Sequence, residues 1–175
     1  MTVNGSLFPS SKYLAKQMIK KVKPESRCCI VELGAGTGIF TKYILEILPK
    51  DGKLFVIEIN PIFVEQLKKL YKNDSRIVIL EANASEFGKA IARFGYAKAD
   101  YILSGLPLAN IDNETRKTIL EEIQRHLFPT GLYIQFQYLI RNFLEIRKKF
   151  DCKISSFELR NFPPAFVYTS KLRQQ

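Results

Sequence analysis

A chain of 175 residues, 46% of them hydrophobic and 25% charged, has the bulk for one substantial core, and its composition excludes wholesale disorder. Three cysteines, an adjacent pair (Cys28, Cys29) and Cys152, exclude a fully paired disulfide framework and give no metal-ligand spacing. No signal-peptide pattern opens the chain, and no apolar run approaches the roughly 20 residues that span a bilayer, so the expectation is a cytoplasmic chain with reduced thiols, no metal and at most a peripheral membrane contact.

The formal net charge of +10 is unevenly placed. Residues 1–24 carry five lysines and no acid, and residues 139–175 carry eight basic residues against three acids. The stretch between them is neutral. Two basic ends suit a phosphate-bearing surface, whether nucleic acid or anionic lipid headgroups, or serve solubility alone.

The first element spans residues 10–22, after Pro9 and the cap candidates Ser10 and Ser11. Leu14, Met18 and Val22 share one helical face, while Lys12, Lys16 and Lys20 recur four apart along another. Residues 1–24 therefore read as a basic amphipathic helix or lid, followed by a second unit over 25–175. Cys28–Leu33 reads as a buried strand, with a helix over 39–48 beyond its glycines. Leu54–Glu58 is the second strand, followed by a helix over 61–71, and Ile77–Leu80 is the third. A weaker helix covers 85–94, Asp100–Leu103 is the fourth strand, and a helix runs over 113–126. Leu132–Tyr138 is the fifth strand and a helix covers 139–150. Two last strands, 154–159 and 165–169, lie too close for a helical crossover and must pair as an antiparallel hairpin. The expected fold is α/β and Rossmann-like: a mostly parallel, seven-stranded sheet covered on both faces, with an antiparallel C-terminal hairpin.

Gly34-x-Gly36-x-Gly38 follows a predicted strand and opens a helix, where missing Cβ atoms let a ligand approach the backbone. Glu58 ends the next strand, twenty residues past Gly38, where a carboxylate suits ribose hydroxyls. Dinucleotide sites space their glycines as Gly-x-Gly-x-x-Gly to seat a pyrophosphate. Here the spacing is tighter and Glu32 precedes it, which suits a ligand bearing an ammonium and a sulfonium.

These residues resemble the class I S-adenosylmethionine (SAM)-dependent methyltransferases. Val31-Glu32-Leu33-Gly34-Ala35-Gly36-Thr37-Gly38 is similar to their first motif, and Glu58-Ile59-Asn60-Pro61 to their acidic second motif. Asn83-Ala84 resembles the adenine-binding motif, and Ser104-Gly105-Leu106-Pro107-Leu108 the substrate-facing one. The resemblance spans nearly the whole chain, with four motifs in order at strand ends. It implies SAM as cofactor, held by Glu32, Gly34, Ala35, Gly36, Gly38, Glu58, Ile59, Asn83, Ala84 and Ser104.

Two subfamilies compete for the acceptor. In ribosomal RNA adenine dimethyltransferases, an Asn-Leu-Pro-Phe/Tyr motif orients and stacks a flipped base. Here Gly105 replaces the amide and Leu108 the ring. Bacterial phospholipid N-methyltransferases resemble the chain in the Pro9-Ser10-Ser11 entry to a basic helix, in Ser104–Leu108, and in Arg160-Asn161-Phe162-Pro163-Pro164-Ala165. That resemblance implies the amine of phosphatidylethanolamine-type lipids as acceptor and an anionic membrane surface as partner, with nucleic acid as the alternative. The first helix would then dock through Lys12, Lys16 and Lys20, act as a lid, or pack on the sheet with its lysines solvated.

Methyl transfer to an amine is an in-line displacement that alignment and desolvation accelerate. No His-Asp pair or carboxylate dyad stands out as a base; the one histidine, His126, reads as surface or helix-end decoration. The catalytic expectation rests on Ser104, Gly105, Leu106 and Pro107, whose backbone carbonyls, with the Ser104 hydroxyl, would meet the amine. Tyr13 reads as a substrate or cofactor contact or a core ring, and Arg160 as a lipid-phosphate contact or an ion-pair partner.

Overall fold

The computed structural model describes residues 10–138 and 143–173. Pro9, and residues 139–142 of the expected sixth helix, lie outside them. Seven strands form one sheet in the order β3-β2-β1-β4-β5-β7-β6. β1 (Cys29–Leu33), β2 (Lys53–Glu58), β3 (Ile77–Glu81), β4 (Ala99–Ser104) and β5 (Leu127–Gln137) run parallel. β7 (Ala165–Leu172) inserts antiparallel between β5 and β6 (Phe150–Glu158). The expected architecture, including the closing hairpin, is the observed one.

Strand residues alternate between two apolar layers, as the pleat requires. Ile30, Leu54 and Val56 face α1 (Lys12–Ile19), α2 (Ile39–Ile47) and α3 (Pro61–Leu70). Val31, Leu33, Phe55 and Ile57 face α4 (Phe87–Ala92), α5 (Asn113–His126) and α6 (Phe143–Lys149). A parallel sheet covered on both faces has no polar side, which is why β1 and β2 read as continuous apolar runs.

Two strands begin earlier than their patterns indicate. β5 starts at Leu127 and runs through Pro129-Thr130-Gly131, a turn-like string, with a register irregularity against β4 between Ala99 and Tyr101. β6 starts at Phe150, where buried Phe150 and Cys152 alternate with exposed Asp151 and Lys153. The expected helix over 85–94 is a 3-10 turn, Ala84–Glu86, leading into α4.

The Ser11 hydroxyl caps α1, accepting from Leu14 N at 3.1 Å. Leu14, Ala15 and Met18 are completely buried, and Val22 nearly so, in the same layer as α2. The apolar face of this helix is thus covered by protein, and its outward face is the lysine stripe Lys12, Lys16 and Lys20, all exposed. Among the described residues, no helix is long and apolar enough to cross a membrane.

Candidate functional site

The strand order turns outward in both directions from β1 and β4, and in open α/β sheets this switch point opens a crevice at the carboxyl ends. The turns after these strands are each pinned to the neighbouring strand: Gly34 N donates to Ile57 O of β2 and Gly105 N to Leu33 O of β1, each at 2.8 Å. Gly36 holds φ of +52°, and a Cβ added there would meet nothing within 4 Å. Its backbone therefore borders open space while its conformation selects glycine. Gly105 differs, since a Cβ there would fall 2.7 Å from the Gly34 carbonyl oxygen. An amide-bearing side chain at 105 would displace the glycine loop, which gives a physical reason for glycine at this position.

Two carboxylates flank the loop. Glu58 is almost buried and ties the glycine loop to the turn after β2, accepting from Gly36 N at 2.8 Å on one oxygen and from Asn60 N at 2.9 Å on the other. A carboxylate has about four lone-pair positions, so each oxygen retains capacity for a ribose hydroxyl. Glu32 is completely buried; one oxygen accepts from Thr41 Oγ1 at 2.7 Å, and the other has no partner. Burial pushes its carboxyl up to about 7, a rise that the Thr41 hydrogen bond moderates and Glu58 reinforces. A buried carboxylate oxygen without a donor is costly, and a cationic ligand group would relieve that cost.

The residues expected around the nucleoside lie on the same rim. Ile59 is 59% exposed directly after Glu58, an apolar surface suited to a purine face. Asn83 Oδ1 accepts from Ser85 N and Oγ, both at 3.0 Å, capping the 3-10 turn that buries Ala84. Ala35 is buried beneath the loop. The glycines, Glu32, Glu58, Ile59, Asn83 and Ala84 thus occupy the carboxyl ends of β1, β2 and β3, with Ser104 at the end of β4. The chemistry of this set fits SAM: an acceptor pair for ribose, a carboxylate for the cationic end, and an open backbone between them.

The Ser104–Leu108 turn is built differently from its sequence expectation. Ser104 is completely buried, and its hydroxyl accepts from Leu106 N at 3.3 Å, so it faces inward. The Leu106 carbonyl accepts from Leu108 N (2.9 Å), Gln135 Nε2 (3.1 Å) and Gln137 Nε2 (3.2 Å). With three donors it is saturated. The two glutamines were not legible as site residues: they alternate along an apolar strand, and only the finished sheet brings β5 beneath the turn.

His126 is the last residue of α5, as the helix-end reading has it, and is packed there rather than free at the surface. Its Nδ1 lies 2.7 Å from Ala97 O, its ring meets Phe87 edge-on, and it sits beside Glu122 in the α5 layer. The three cysteines are free and buried; burial raises all three thiols, Cys28 to about 11 and Cys29 to about 12. Among the described residues, no group of His, Cys, Asp or Glu could hold a metal ion.

Arg160 and Tyr13 meet across the end of α1. Arg160 Nε and Nη2 grip Glu158 at 2.8 and 2.9 Å, and its guanidinium lies 4.2 Å from the Tyr13 ring centroid. Of the two readings of Arg160, its ion pair is the one seen. The Arg160 hydrogen bonds, joined by a smaller one from Gln17, hold the Glu158 carboxyl down at about 2.

Comparison with known proteins agrees with this geometry. A family described as a methyltransferase domain matches residues 30–131. An ornithine lipid N-methyltransferase of Singulisphaera acidiphila is 30% identical over 170 residues, spanning 95% of this chain and 88% of that protein. An rRNA adenine N-6-methyltransferase of Bacteroides fragilis is 22% identical over 176 residues, spanning 96% of this chain and 64% of that protein. The N-methyltransferase NodS of Bradyrhizobium japonicum, solved with S-adenosylhomocysteine, superposes with a TM-score of 0.73 at 13% identity, covering 92% of this chain and 84% of that one. With its sheet order, glycine turn and paired carboxylates on one rim, the chain belongs to the class I SAM-dependent methyltransferases.

Proposed function

We propose that the chain methylates the primary amine of a membrane aminolipid at the bilayer surface, with phosphatidylethanolamine-type lipids as the expected acceptor. The observation that carries this reading is the 30% identity, over 88% of its length, to a lipid N-methyltransferase. Ornithine lipid, named for that relative, also offers an amine. The turn after β4 supports the same choice. Gly105 leaves no room for a base-orienting amide, and Leu108 is buried where a stacking ring would have to be exposed.

Bound SAM supplies an electrophilic methyl on a sulfonium. The chain's part is to hold and align: Glu32 would meet the cationic end, Glu58 the ribose, and Ile59 with Asn83 the base. The amine would attack only when neutral; the Leu106 carbonyl, already saturated, serves to fix the turn after β4 that borders it. Gln135 and Gln137 position this turn through Leu106 O. Fixing two reactants in line is worth several orders of magnitude in rate.

The deciding experiment gives the protein methyl-labelled SAM with phosphatidylethanolamine vesicles, ornithine-lipid vesicles or ribosomal RNA. Label in phosphatidylethanolamine supports the full reading. Label in ornithine lipid alone keeps the aminolipid class and corrects the headgroup. Label confined to RNA overturns it.

A further inference from the structure

The turn between β6 and β7, residues 159–164, carries a cluster that neither the cofactor pocket nor the turn after β4 uses. Leu159 is 70% exposed, Phe162 75%, and Phe157 just before them 46%. Large apolar side chains gathered at one tip mark an interaction surface. The tip is braced from beneath. Buried Asn161 accepts from Ser11 N at 2.8 Å and donates to Pro163 O at 2.6 Å. Phe157 stacks on Phe166 across the hairpin with centroids 4.4 Å apart.

Its position and surroundings indicate what it meets. β7 is antiparallel to both β5 and β6, so Gln137, Glu158 and Ala165 lie at one end of the sheet, the end that carries the Gly34–Gly38 loop and the Ser104–Leu108 turn. α1 borders the tip through Ser11–Asn161, Tyr13–Arg160 and Gln17–Glu158. Lys12, 5.3 Å from the Tyr13 ring centroid, and Lys16 one turn on are therefore cationic neighbours of an apolar projection. The apolar face of α1 cannot insert anywhere, because it is already core.

We propose that the β6–β7 turn is the element that enters the bilayer: Leu159 and Phe162 insert at the headgroup–acyl boundary of an anionic lipid surface, while Lys12 and Lys16 lie on the headgroups. The proposal rests on the aminolipid reading for its biological sense, and it brings the acceptor end of the sheet against the membrane. An apolar centre with a basic surround matches an anionic bilayer, hydrophobic below and charged at its face. RNA could stack on the exposed Phe162 ring beside the lysines but would gain nothing from Leu159, which has no face to stack, whereas a bilayer takes up both side chains.

The chain has no tryptophan, so Leu159→Trp places a single indole at the tip. Vesicles of phosphatidylethanolamine and phosphatidylglycerol should shift its emission to the blue, and lipids brominated in the acyl chains should quench it. The Leu159→Ser/Phe162→Ser variant should bind the same vesicles about a hundred-fold more weakly, at about tenfold per side chain, while SAM binding by calorimetry and the melting temperature stay unchanged. An unshifted indole, a shift produced by RNA and not by vesicles, or undiminished vesicle binding by the serine variant overturns the proposal. Loss of vesicle binding in the serine variant, with label going only to RNA, would leave the docking surface standing and remove the aminolipid reading, so the two failures are distinguishable.

Discussion

Glu32 makes cofactor binding a titration. Its carboxyl is raised to about 7 in the free protein, because one oxygen is buried without a donor and only Thr41 serves the other. A bound cationic group would draw it back toward the ordinary carboxylate range, so SAM should bind the ionised form. At pH 5 only about 1% of a group titrating near 7 is ionised, which predicts SAM affinity about a hundred-fold weaker at pH 5 than at pH 8. The amino group of SAM, if it titrates near the usual 7.7–8.0 of an α-amine, closes the window from above, so affinity should peak between about pH 7 and pH 8. The same shift acts on folding. Between 4.5 and about 7 the folded chain binds the extra proton, so this site's contribution to stability falls as pH rises through that window. The cost above pH 7 has a ceiling of about 3 kcal/mol. Glu32→Gln should therefore stabilise the free protein at pH 8 but not at pH 4, and should bind SAM weakly with no acid limb. Calorimetric titrations from pH 5 to 8.5, with thermal melts of both forms, measure each quantity. A flat wild-type affinity profile, or an acid limb that survives in Glu32→Gln, would refute the assignment.

Other residues give separable readouts. Glu58→Ala removes both loop hydrogen bonds and the ribose acceptor, and should weaken SAM binding at least tenfold by calorimetry. Gln137→Leu should lower kcat about tenfold with SAM affinity unchanged, because it loosens the turn without touching the nucleoside rim; an equal loss in SAM affinity would deny it a positioning role. Met18→Ala should cost about 2–5 kcal/mol and lower the melting temperature by roughly 5–15 °C, since α1 is core. Lys12→Glu/Lys16→Glu/Lys20→Glu should keep the wild-type melting temperature yet lose binding to anionic vesicles, at about 1 kcal/mol per cation removed.

The sheet and the cofactor rim were legible in the sequence because both are local. A buried parallel strand is a short apolar run, a glycine turn follows it, and the acidic residue ends the next strand. Strand edges were less legible where charge or proline broke the pattern, as at Asp151 and Lys153 in β6 and Pro129 in β5, because the partner strand decides there. The turn after β4 was the least legible. Gln135 and Gln137 matter through one carbonyl at 106, some thirty residues away along the chain. Glu158 and Arg160 pair with each other but owe their place to Tyr13 and Gln17 at the opposite end of the sequence.

The first helix shows how an amphipathic pattern divides. Periodicity identified its apolar and basic faces but could not say which solvent the apolar face meets, since protein core and lipid select the same residues. In the fold that face is buried against α2 and the sheet, leaving only the charges outward. Lysines alone give a contact that salt screens within about 10 Å at moderate ionic strength. Lasting attachment to a bilayer needs a second, apolar contribution. Leu159 and Phe162 are exposed apolar groups on the turn that α1 borders. Attachment should then respond to salt through the helix and to side-chain size through the turn, and the two variant sets should be close to additive if their sites act independently.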